Sequence, residues 1–331
     1  MARRARDGPP SRPSWAWQDA AVTDPATGRL MLLDSASMYF RAFFGVPEIK
    51  APDGTPVNAV RGFLDFIARL VTDYQPTDLV CCWDNDWRPQ WRVDLLPSYK
   101  AHRVVTERTG APDIEEVPDP LEVQVPIILE VLEAFGLCVV GADGYEADDV
   151  IGSLASQARQ PVDIVTGDRD LFQLVDDEAD VRVLYIARGV GRHERVTNDW
   201  VRAKYDIDAR QYADFATLRG DASDGLPGVA GVGEKTAATL LQRFGDMDAI
   251  IAAAVDPDGD MGPGPRGRIK AAADYLAVAP QVVAVARDID LDSPATALPR
   301  EPVDLARVAL LGEKWGIESP VQRLTEALVS R

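Results

Sequence analysis

The segment LMLLDSASMYF, residues 30–40, begins with an apolar run that ends in Asp34. Two other apolar runs, DLVCCWD (78–84) and VDIVTGD (162–168), end in the same way, in Asp84 and Asp168. Two further runs are typical of strands, LCVV (137–140) and VRVLYIA (181–187). Three longer segments have the apolar periodicity of helices, residues 57–71, 121–136 and 145–158. Strands that alternate with helices predict an α/β fold with a parallel, doubly wound sheet.

The three aspartates that end these runs indicate a functional site. In a doubly wound sheet, ligand-binding groups collect just beyond the carboxyl ends of the strands. A single aspartate at a strand end is commonly a turn residue. Three of them on separate strands, all at one edge of a sheet, favour a site.

The segment GYEADDVIGSLA, residues 144–155, places three acids directly before an apolar helical run. A helix start tolerates acids because its free N–H groups and its dipole favour negative charge, but this explains only one or two of them. Like charges so close together destabilise each other unless solvent or a cation separates them. TGDRD and GDASDG complete a set of nine candidate acids: Asp34, Asp84, Glu146, Asp148, Asp149, Asp168, Asp170, Asp221 and Asp224. Helix capping and turn formation remain an alternative for Asp168 and Asp221 individually.

The composition limits the metals that such acids could hold. The chain of 331 residues has 53 acidic and 35 basic residues, a net charge of −18, two histidines and three cysteines. The cysteines (Cys81, Cys82 and Cys138) lie in strand-like runs without C-x-x-C spacing, so we expect buried, reduced thiols. A metal would therefore be held by oxygen, which favours Mg²⁺ or Mn²⁺ over Zn²⁺. A pair of such ions suits phosphodiester hydrolysis.

The order of these motifs resembles the bacterial 5′-nuclease family, which includes the 5′→3′ exonuclease domain of DNA polymerase I and stand-alone flap endonucleases. The resemblance covers about residues 30–325. It implies a PIN-like catalytic domain at 30–200, with an arch segment at about 92–125. It also implies a helical DNA-binding region at 201–331, of the helix–hairpin–helix type. No polymerase domain follows, so we expect a free-standing nuclease.

The resemblance also implies how the acids divide. Asp34, Asp84, Glu146 and Asp148 would hold a first divalent ion. The remaining five acids would serve a second ion, directly or through water: Asp149, Asp168, Asp170, Asp221 and Asp224.

Basic residues beside the acids are expected to contact DNA. In RVDLLPSYKAHR (92–103), Lys100 and Arg103 match family residues that steady the scissile phosphate, with Arg92 in support. We expect Tyr99 to stack on a base near the cut, and Arg41 to face the path of the strand. A solvated helix face is the alternative explanation for this basic segment.

The segment LPGVAGVGEKTAATLL, residues 226–241, resembles the family's glycine hairpin, which grips duplex DNA. Its backbone N–H groups and the following helix start suit phosphate, and a K⁺ ion could bridge to the DNA there. The residues concerned are Gly228, Gly231, Gly233, Lys235 and Thr236. Two features depart from the family: Gly225 replaces the usual asparagine after Asp224, and the arch segment is acidic, with Glu115 and Glu116 among its residues.

We therefore predict a structure-specific 5′ nuclease, with 5′-flap endonuclease and 5′→3′ exonuclease activity, that removes flaps and primer remnants in replication and repair. Its partners would be branched or nicked DNA and RNA–DNA hybrids. We expect a monomer in the cytoplasm at the nucleoid, without a membrane span or signal peptide, and a disordered N-terminal arm at residues 1–29. The alternatives are a catalytically weak or inactive protein that binds branched DNA, and a PIN-type ribonuclease. The latter are usually shorter and lack the glycine hairpin.

Overall fold

The computed structural model of the protein describes residues 28–106, 114–115 and 117–331. Most of the predicted N-terminal arm, and residues 107–113 and 116 of the predicted arch, lie outside the described residues. Arg29, placed at the end of the arm, instead belongs to the fold. Its buried guanidinium donates hydrogen bonds to Asp163 (2.9 Å) and Asp180 (2.6 Å).

A six-stranded sheet forms the centre of the molecule, in the order β5-β2-β1-β6-β7-β8. Its first five strands are parallel, as predicted, and β8 is an antiparallel edge strand that the sequence analysis missed. All five residues of LMLLD are buried, because a central parallel strand is covered on both faces. The strands, including a separate β3–β4 pair in the arch, are Leu30–Asp34 (β1), Asp78–Trp83 (β2), Val104–Thr106 (β3), Ile114–Glu115 (β4), Cys138–Gly141 (β5), Val162–Thr166 (β6), Val181–Tyr185 (β7) and Glu194–Val196 (β8).

Helices cover both faces of this sheet. They are Ser35–Gly45 (α1), Asn58–Tyr74 (α2), Gln90–Leu95 (α3), Asp119–Glu122 (α4), Val125–Phe135 (α5), Ala147–Gln157 (α6), Asn198–Tyr205 (α7), Tyr212–Arg219 (α8), Glu234–Phe244 (α9), Met247–Val255 (α10), Pro263–Ala271 (α11), Ala273–Leu276 (α12), Ala279–Val283 (α13), Leu305–Trp315 (α14) and Glu318–Val329 (α15). Helices α1, α2, α5, α14 and α15 share the hydrophobic core on one face, and α6 shares the other core with the helical region α7–α13.

The C-terminal segment returns to the α/β core. Leu79 donates a backbone hydrogen bond to Thr296 (2.9 Å), and Leu298 donates one to Thr77 (2.9 Å). Helices α14 and α15 then pack on α5 and α2. The region predicted at 201–331 as a helical DNA-binding region therefore contains, from about residue 296, a part that packs with the α/β core.

Two other features of the described residues bear on earlier expectations. The three cysteines are free thiols; Cys81 and Cys82 are fully buried and Cys138 is partly buried. In the described part of the chain, no helix combines the length and apolar character needed to span a bilayer.

Candidate metal centre

A polar cleft of about 310 Å³ lies at the carboxyl edge of the sheet. The three strand-end aspartates share this cleft, which confirms that they meet at one edge. The basic residues Lys100 and Arg103 also line the cleft. In all, five of the nine predicted acids reach it: Asp34, Asp84, Glu146, Asp148 and Asp168.

Local backbone geometry holds the strand-end aspartates in place. Asp34 ends β1 and caps α1, since its Oδ1 accepts a hydrogen bond from the Ser37 N–H (3.0 Å). Its other oxygen accepts one from the Thr166 hydroxyl at the end of β6 (2.6 Å). Asp84 accepts one from the Ala147 N–H (2.7 Å), which ties β2 to the start of α6. Each aspartate is thus oriented by the element that follows or faces its strand.

The acids at the start of α6 have three different environments. Glu146 is the N-cap residue, and its carboxylate accepts hydrogen bonds from the Tyr99 hydroxyl (2.9 Å) and the Lys100 ammonium (2.8 Å). Asp148 faces the cleft, and its carboxylate accepts no hydrogen bond from any residue that the structure describes. Asp149 points into the core and is fully buried. The helix start therefore accounts for part of this acidic cluster, and the cleft accounts for Asp148.

Asp149 and Arg92 form a buried ion pair, which corrects two predictions. Arg92 donates two hydrogen bonds of 2.7 Å to the Asp149 carboxylate, which also accepts one from the Ala286 N–H (2.8 Å). Arg92 further donates to the Val282 carbonyl (3.0 Å) and is 2% exposed. Asp149 is therefore not available as a metal ligand, and Arg92 cannot reach a phosphate in the cleft.

Tyr99 is also placed differently from the prediction. Its ring belongs to the hydrophobic core, with 4% of the residue exposed, and its hydroxyl bonds to Glu146. A buried ring cannot stack on a DNA base. Tyr99 instead helps to fix the Glu146 carboxylate.

Burial and mutual repulsion make the ionised form of these acids unfavourable. Burial, followed by the charges of Asp84 and Asp168, raises the pKa of Asp34 to about 7. Burial also raises the pKa of Glu146 to about 7, although Lys100 and Arg92 oppose the shift. The pKa of Asp148 is raised well above its usual value by burial and then by its acidic neighbours. Such a cluster fits a divalent cation, because a cation would relieve both effects.

The other predicted acids form a second group beside Asp168. Burial and then the charges of Asp168, Asp224 and Asp221 raise the pKa of Asp170 well above its usual value. Asp221 accepts hydrogen bonds from the Ser223 N–H (2.9 Å) and from Arg219 (3.1 Å). Asp224 pairs with Arg103 at 2.9 Å. This second group lies at the rim, outside the lining of the cleft itself.

The described residues contain no ready-made cluster of three or more acidic, histidine or cysteine side chains with metal-binding geometry. Mg²⁺ commonly keeps several waters and takes only one or two carboxylates together with substrate phosphate oxygens. An open arrangement of this kind suits Mg²⁺ or Mn²⁺ better than a metal that requires a closed protein shell. The donor set of the cleft is compatible with that chemistry.

The turn that carries Lys100 is hydrogen-bonded to Asp224 and Gly225. The Lys100 N–H donates to the Asp224 carbonyl (3.0 Å), and the Ser98 hydroxyl donates to the Gly225 carbonyl (2.8 Å). Gly225 has a φ of +71°, and a Cβ at this position would collide with the Ser98 carbonyl oxygen. The departure from asparagine at this position therefore permits close packing of the Lys100 turn.

Two predicted DNA contacts lie at the edge of the site and beyond it. Arg41 donates to the Ala187 carbonyl (2.8 Å), and a Cβ on Gly167 would lie 2.7 Å from its Nη2, so Arg41 is at the rim of the cleft. The glycine hairpin precedes α9. Gly228 has a φ of +67°, and a Cβ there would approach the Arg219 carbonyl oxygen to 2.5 Å. Lys235 and Thr236 lie in the first turn of α9, and Gly231, Gly233 and Lys235 are exposed.

Sequence reasoning missed two residues of the site. Thr166 bonds Asp34, and the threonine directly before GD in TGD could have indicated this. Glu115 of β4 lines the cleft, with Arg103 and Lys100 near enough to oppose the rise that burial causes in its pKa. The sequence identifies Glu115 only as part of an acidic segment, because no pattern in it shows that β4 folds over the site.

The chain matches two family models that together span most of its length. Residues 29–206 match the "5'-3' exonuclease, N-terminal resolvase-like domain", and residues 207–306 match the "5'-3' exonuclease, C-terminal SAM fold". A 5′-3′ exonuclease of Streptomyces coelicolor is 59% identical over 91% of this chain and 100% of its own length. A 5′-3′ exonuclease of Mycobacterium tuberculosis is 52% identical over 90% of this chain and 97% of its own length.

A solved structure shares the fold. The D15 flap endonuclease of bacteriophage T5, determined in a complex with DNA and metal ions, matches with a TM-score of 0.59 at 16% identity, over 91% of this chain and 98% of its own. The PIN-like core and the helical C-terminal region predicted from the sequence are therefore confirmed. Together with the family models and the near full-length relatives, these findings show that this chain belongs to the 5′-3′ exonuclease family.

Proposed function

We propose that this protein is a structure-specific 5′ nuclease that hydrolyses DNA phosphodiesters with Mg²⁺ or Mn²⁺, as a 5′-flap endonuclease and 5′→3′ exonuclease. The observation that carries the proposal is the convergence of six carboxylates, five of them predicted from the sequence, with Lys100 and Arg103 on one cleft. Flaps, nicks and primer remnants in replication and repair are the substrates that we assign to it, including RNA–DNA hybrids. We assign the protein to the cytoplasm at the nucleoid, as a monomer.

The donor groups divide into two sets. We assign Asp34, Asp84, Glu146 and Asp148 to a first ion. We assign Asp168, Asp170, Asp221 and Asp224 to a second ion, directly or through water. Divalent ions bound by these two sets of residues would supply activated water and stabilisation of the leaving oxygen, for hydrolysis that leaves 5′-phosphate and 3′-hydroxyl ends.

Lys100 and Arg103 act on the scissile phosphate. In the structure their charges are paired with Glu146 (2.8 Å) and Asp224 (2.9 Å) at the wall of the cleft. Burial alone would lower the pKa of Lys100, but Glu146, Tyr99 and Asp224 raise it well above its usual value, so the ammonium stays charged. A phosphate entering the cleft meets two fixed cations, which orient it and stabilise the charge that develops on its oxygens.

The glycine hairpin holds the duplex away from the cut. Its exposed glycines and the start of α9 present backbone N–H groups to a phosphate, and Lys235 adds a positive charge. The hairpin would also hold a K⁺ ion beside the DNA, which would supply a further positive charge to the phosphate. The T5 relative's complex with DNA and metal ions supports a DNA substrate for this fold.

Cleavage of an end-labelled 5′-flap duplex tests the proposal. Purified protein would be assayed with Mg²⁺, with Mn²⁺ and with EDTA, beside Asp148→Asn and the exposed control Asp258→Asn. We expect a metal-dependent cut at or next to the flap junction by the wild type and the control, and none by Asp148→Asn. Binding without cleavage in either metal would favour an inactive DNA-binding protein, and a preference for isolated RNA would favour a ribonuclease.

A further inference from the structure

The segment ARGVGRHER, residues 187–195, leads from β7 into the first two residues of the edge strand β8 and is called here the arginine loop. Arg188, Arg192 and Arg195 in it are exposed, and none of them forms an ion pair with any residue that the structure describes. The chain as a whole has a net charge of −18, with 53 acidic residues. Three arginines without acidic partners are therefore a local departure from the charge of the whole molecule.

The arginine loop is held by contacts at several points. The His193 ring contacts the Val190 carbonyl at 2.6 Å through Nδ1 and the Tyr74 hydroxyl at 2.5 Å through Nε2. Val190 is buried against α2, and Gly189 donates to the Ile186 carbonyl (2.7 Å). A preformed loop loses little conformational freedom when a ligand binds to its arginines.

The positions of the charges favour a long anionic partner. Glu194 and Arg195 are neighbours on a strand, so their side chains point to opposite faces, and Arg195 lies over the Tyr74 ring at 5.4 Å. Arg41, at the rim of the cleft, donates to the Ala187 carbonyl at the start of the loop (2.8 Å). Arg188 directly follows Ala187, so the chain carries exposed arginines from the point that Arg41 contacts at the rim of the active site to Arg195 on the edge strand.

The arginine loop and the glycine hairpin flank the site from different layers. Ile186 and Val190 belong to the core that contains α2, whereas Val229 and Val232 of the hairpin belong to the core on the other face of the sheet. A DNA junction whose cut lies in the cleft would place duplex on both sides. The hairpin can grip only one of the two arms.

We infer that the arginine loop binds the phosphate backbone of the second duplex arm, through Arg188, Arg192 and Arg195. This inference rests on the proposed function. The loop contacts phosphates and no base edges, so it positions the junction over the cleft without reading sequence. Each arginine that neutralises a phosphate releases counterions, so the affinity that it provides depends on salt.

Salt-dependent DNA binding tests this inference. The affinity of the full chain for a 5′-flap duplex would be measured by fluorescence anisotropy in EDTA at several salt concentrations. Two triple variants with the same change of charge are compared, one in the loop and one at exposed arginines elsewhere: Arg188→Gln/Arg192→Gln/Arg195→Gln and Arg159→Gln/Arg210→Gln/Arg300→Gln. A third variant with lysine at the three loop positions retains the charge.

The loop variant should reduce the slope of log affinity against log salt by about 2 to 3, so that the ratio of affinities at 50 and 200 mM salt falls about 16- to 64-fold. The control and the lysine variant should keep most of the slope. Shortening one of the two duplex arms to about one half-turn should remove the difference between the loop variant and the wild type, because the phosphates are then missing.

Equal slopes for the loop variant and the control would overturn the inference, as would a difference that survives shortening of either arm. Unchanged DNA binding combined with weaker binding of polyglutamate would assign the loop to an acidic protein instead. If the wild type cleaves flaps and the loop variant binds DNA as the wild type does, the inference about the loop is rejected and the proposed function stands. A wild type that neither binds nor cleaves DNA rejects the proposed function as well.

Discussion

Replacing Asp149 with alanine should destabilise the protein strongly, because it leaves the Arg92 charge buried without its main partner. Breaking a buried ion pair from one side destabilises by about 3–5 kcal/mol. Glu146 remains 3.8 Å from the Arg92 guanidinium and offsets part of that loss. The Ala286 and Glu146 N–H groups also lose an acceptor, at about 1 kcal/mol each. We therefore expect a total loss of about 4 kcal/mol.

Urea unfolding in EDTA measures this free energy without a contribution from bound metal. Asp258→Ala, at an exposed position, is the control. The double variant Arg92→Leu/Asp149→Leu should recover part of the stability, because it removes both charges. If Asp149 is instead a metal ligand, Asp149→Ala will unfold like the control in EDTA and lose only the stabilisation by Mg²⁺. That result would refute the structural role assigned to this pair.

Three further predictions concern the cleft. Burial raises the pKa values of Asp34 and Glu146 to about 7, from ordinary values of 3.8 and 4.5. Because both acids then bind protons more tightly in the folded than in the unfolded protein, the free energy of unfolding in EDTA should fall as the pH rises from 6 to 8, and Mg²⁺ should restore it at pH 8. A melting temperature that rises with pH in EDTA would contradict this. Gly225→Ala should lower the single-turnover rate of cleavage, because the added Cβ displaces the turn that carries Lys100. The control Gly54→Ala, also at a positive φ but with open space around it, should leave this rate unchanged. Equal rates for the two variants would contradict this prediction. Lys100→Met should lower the single-turnover rate by about 10²- to 10³-fold while changing DNA affinity little, and an unchanged rate at saturating enzyme would remove Lys100 from the chemistry.

The part of the site that the sequence predicts best is the part fixed by the sheet. Asp34, Asp84 and Asp168 follow short apolar runs that alternate with helical segments, a pattern that predicts buried parallel strands. The carboxyl ends of such strands lie at one edge, so their meeting in the cleft follows from the pattern alone. The antiparallel strand β8 escaped prediction because it has only three residues.

Contacts between distant segments limit what the sequence can predict about the rest of the site. Asp148 and Asp149 are adjacent in the first turn of α6, so their side chains point in directions about 100° apart. Which of them faces the cleft depends on Arg92, 57 positions away from Asp149, and on Ala286, 137 positions away. The role of Tyr99 also depends on distant contacts. Its aromatic ring suits base stacking, but its position in the core makes it a hydrogen-bond partner of Glu146.

The carboxylates at the edge of the sheet are proposed to form a metal centre. Anomalous diffraction from crystals grown with Mn²⁺ locates the ions directly, in the wild type and in Asp148→Asn. We predict a peak in the cleft within direct or water-mediated reach of Asp34, Asp84, Glu146 and Asp148, which weakens or disappears in the variant. Strong Mn²⁺ peaks elsewhere, with none in the cleft at saturating Mn²⁺, would show that these carboxylates are not the metal centre.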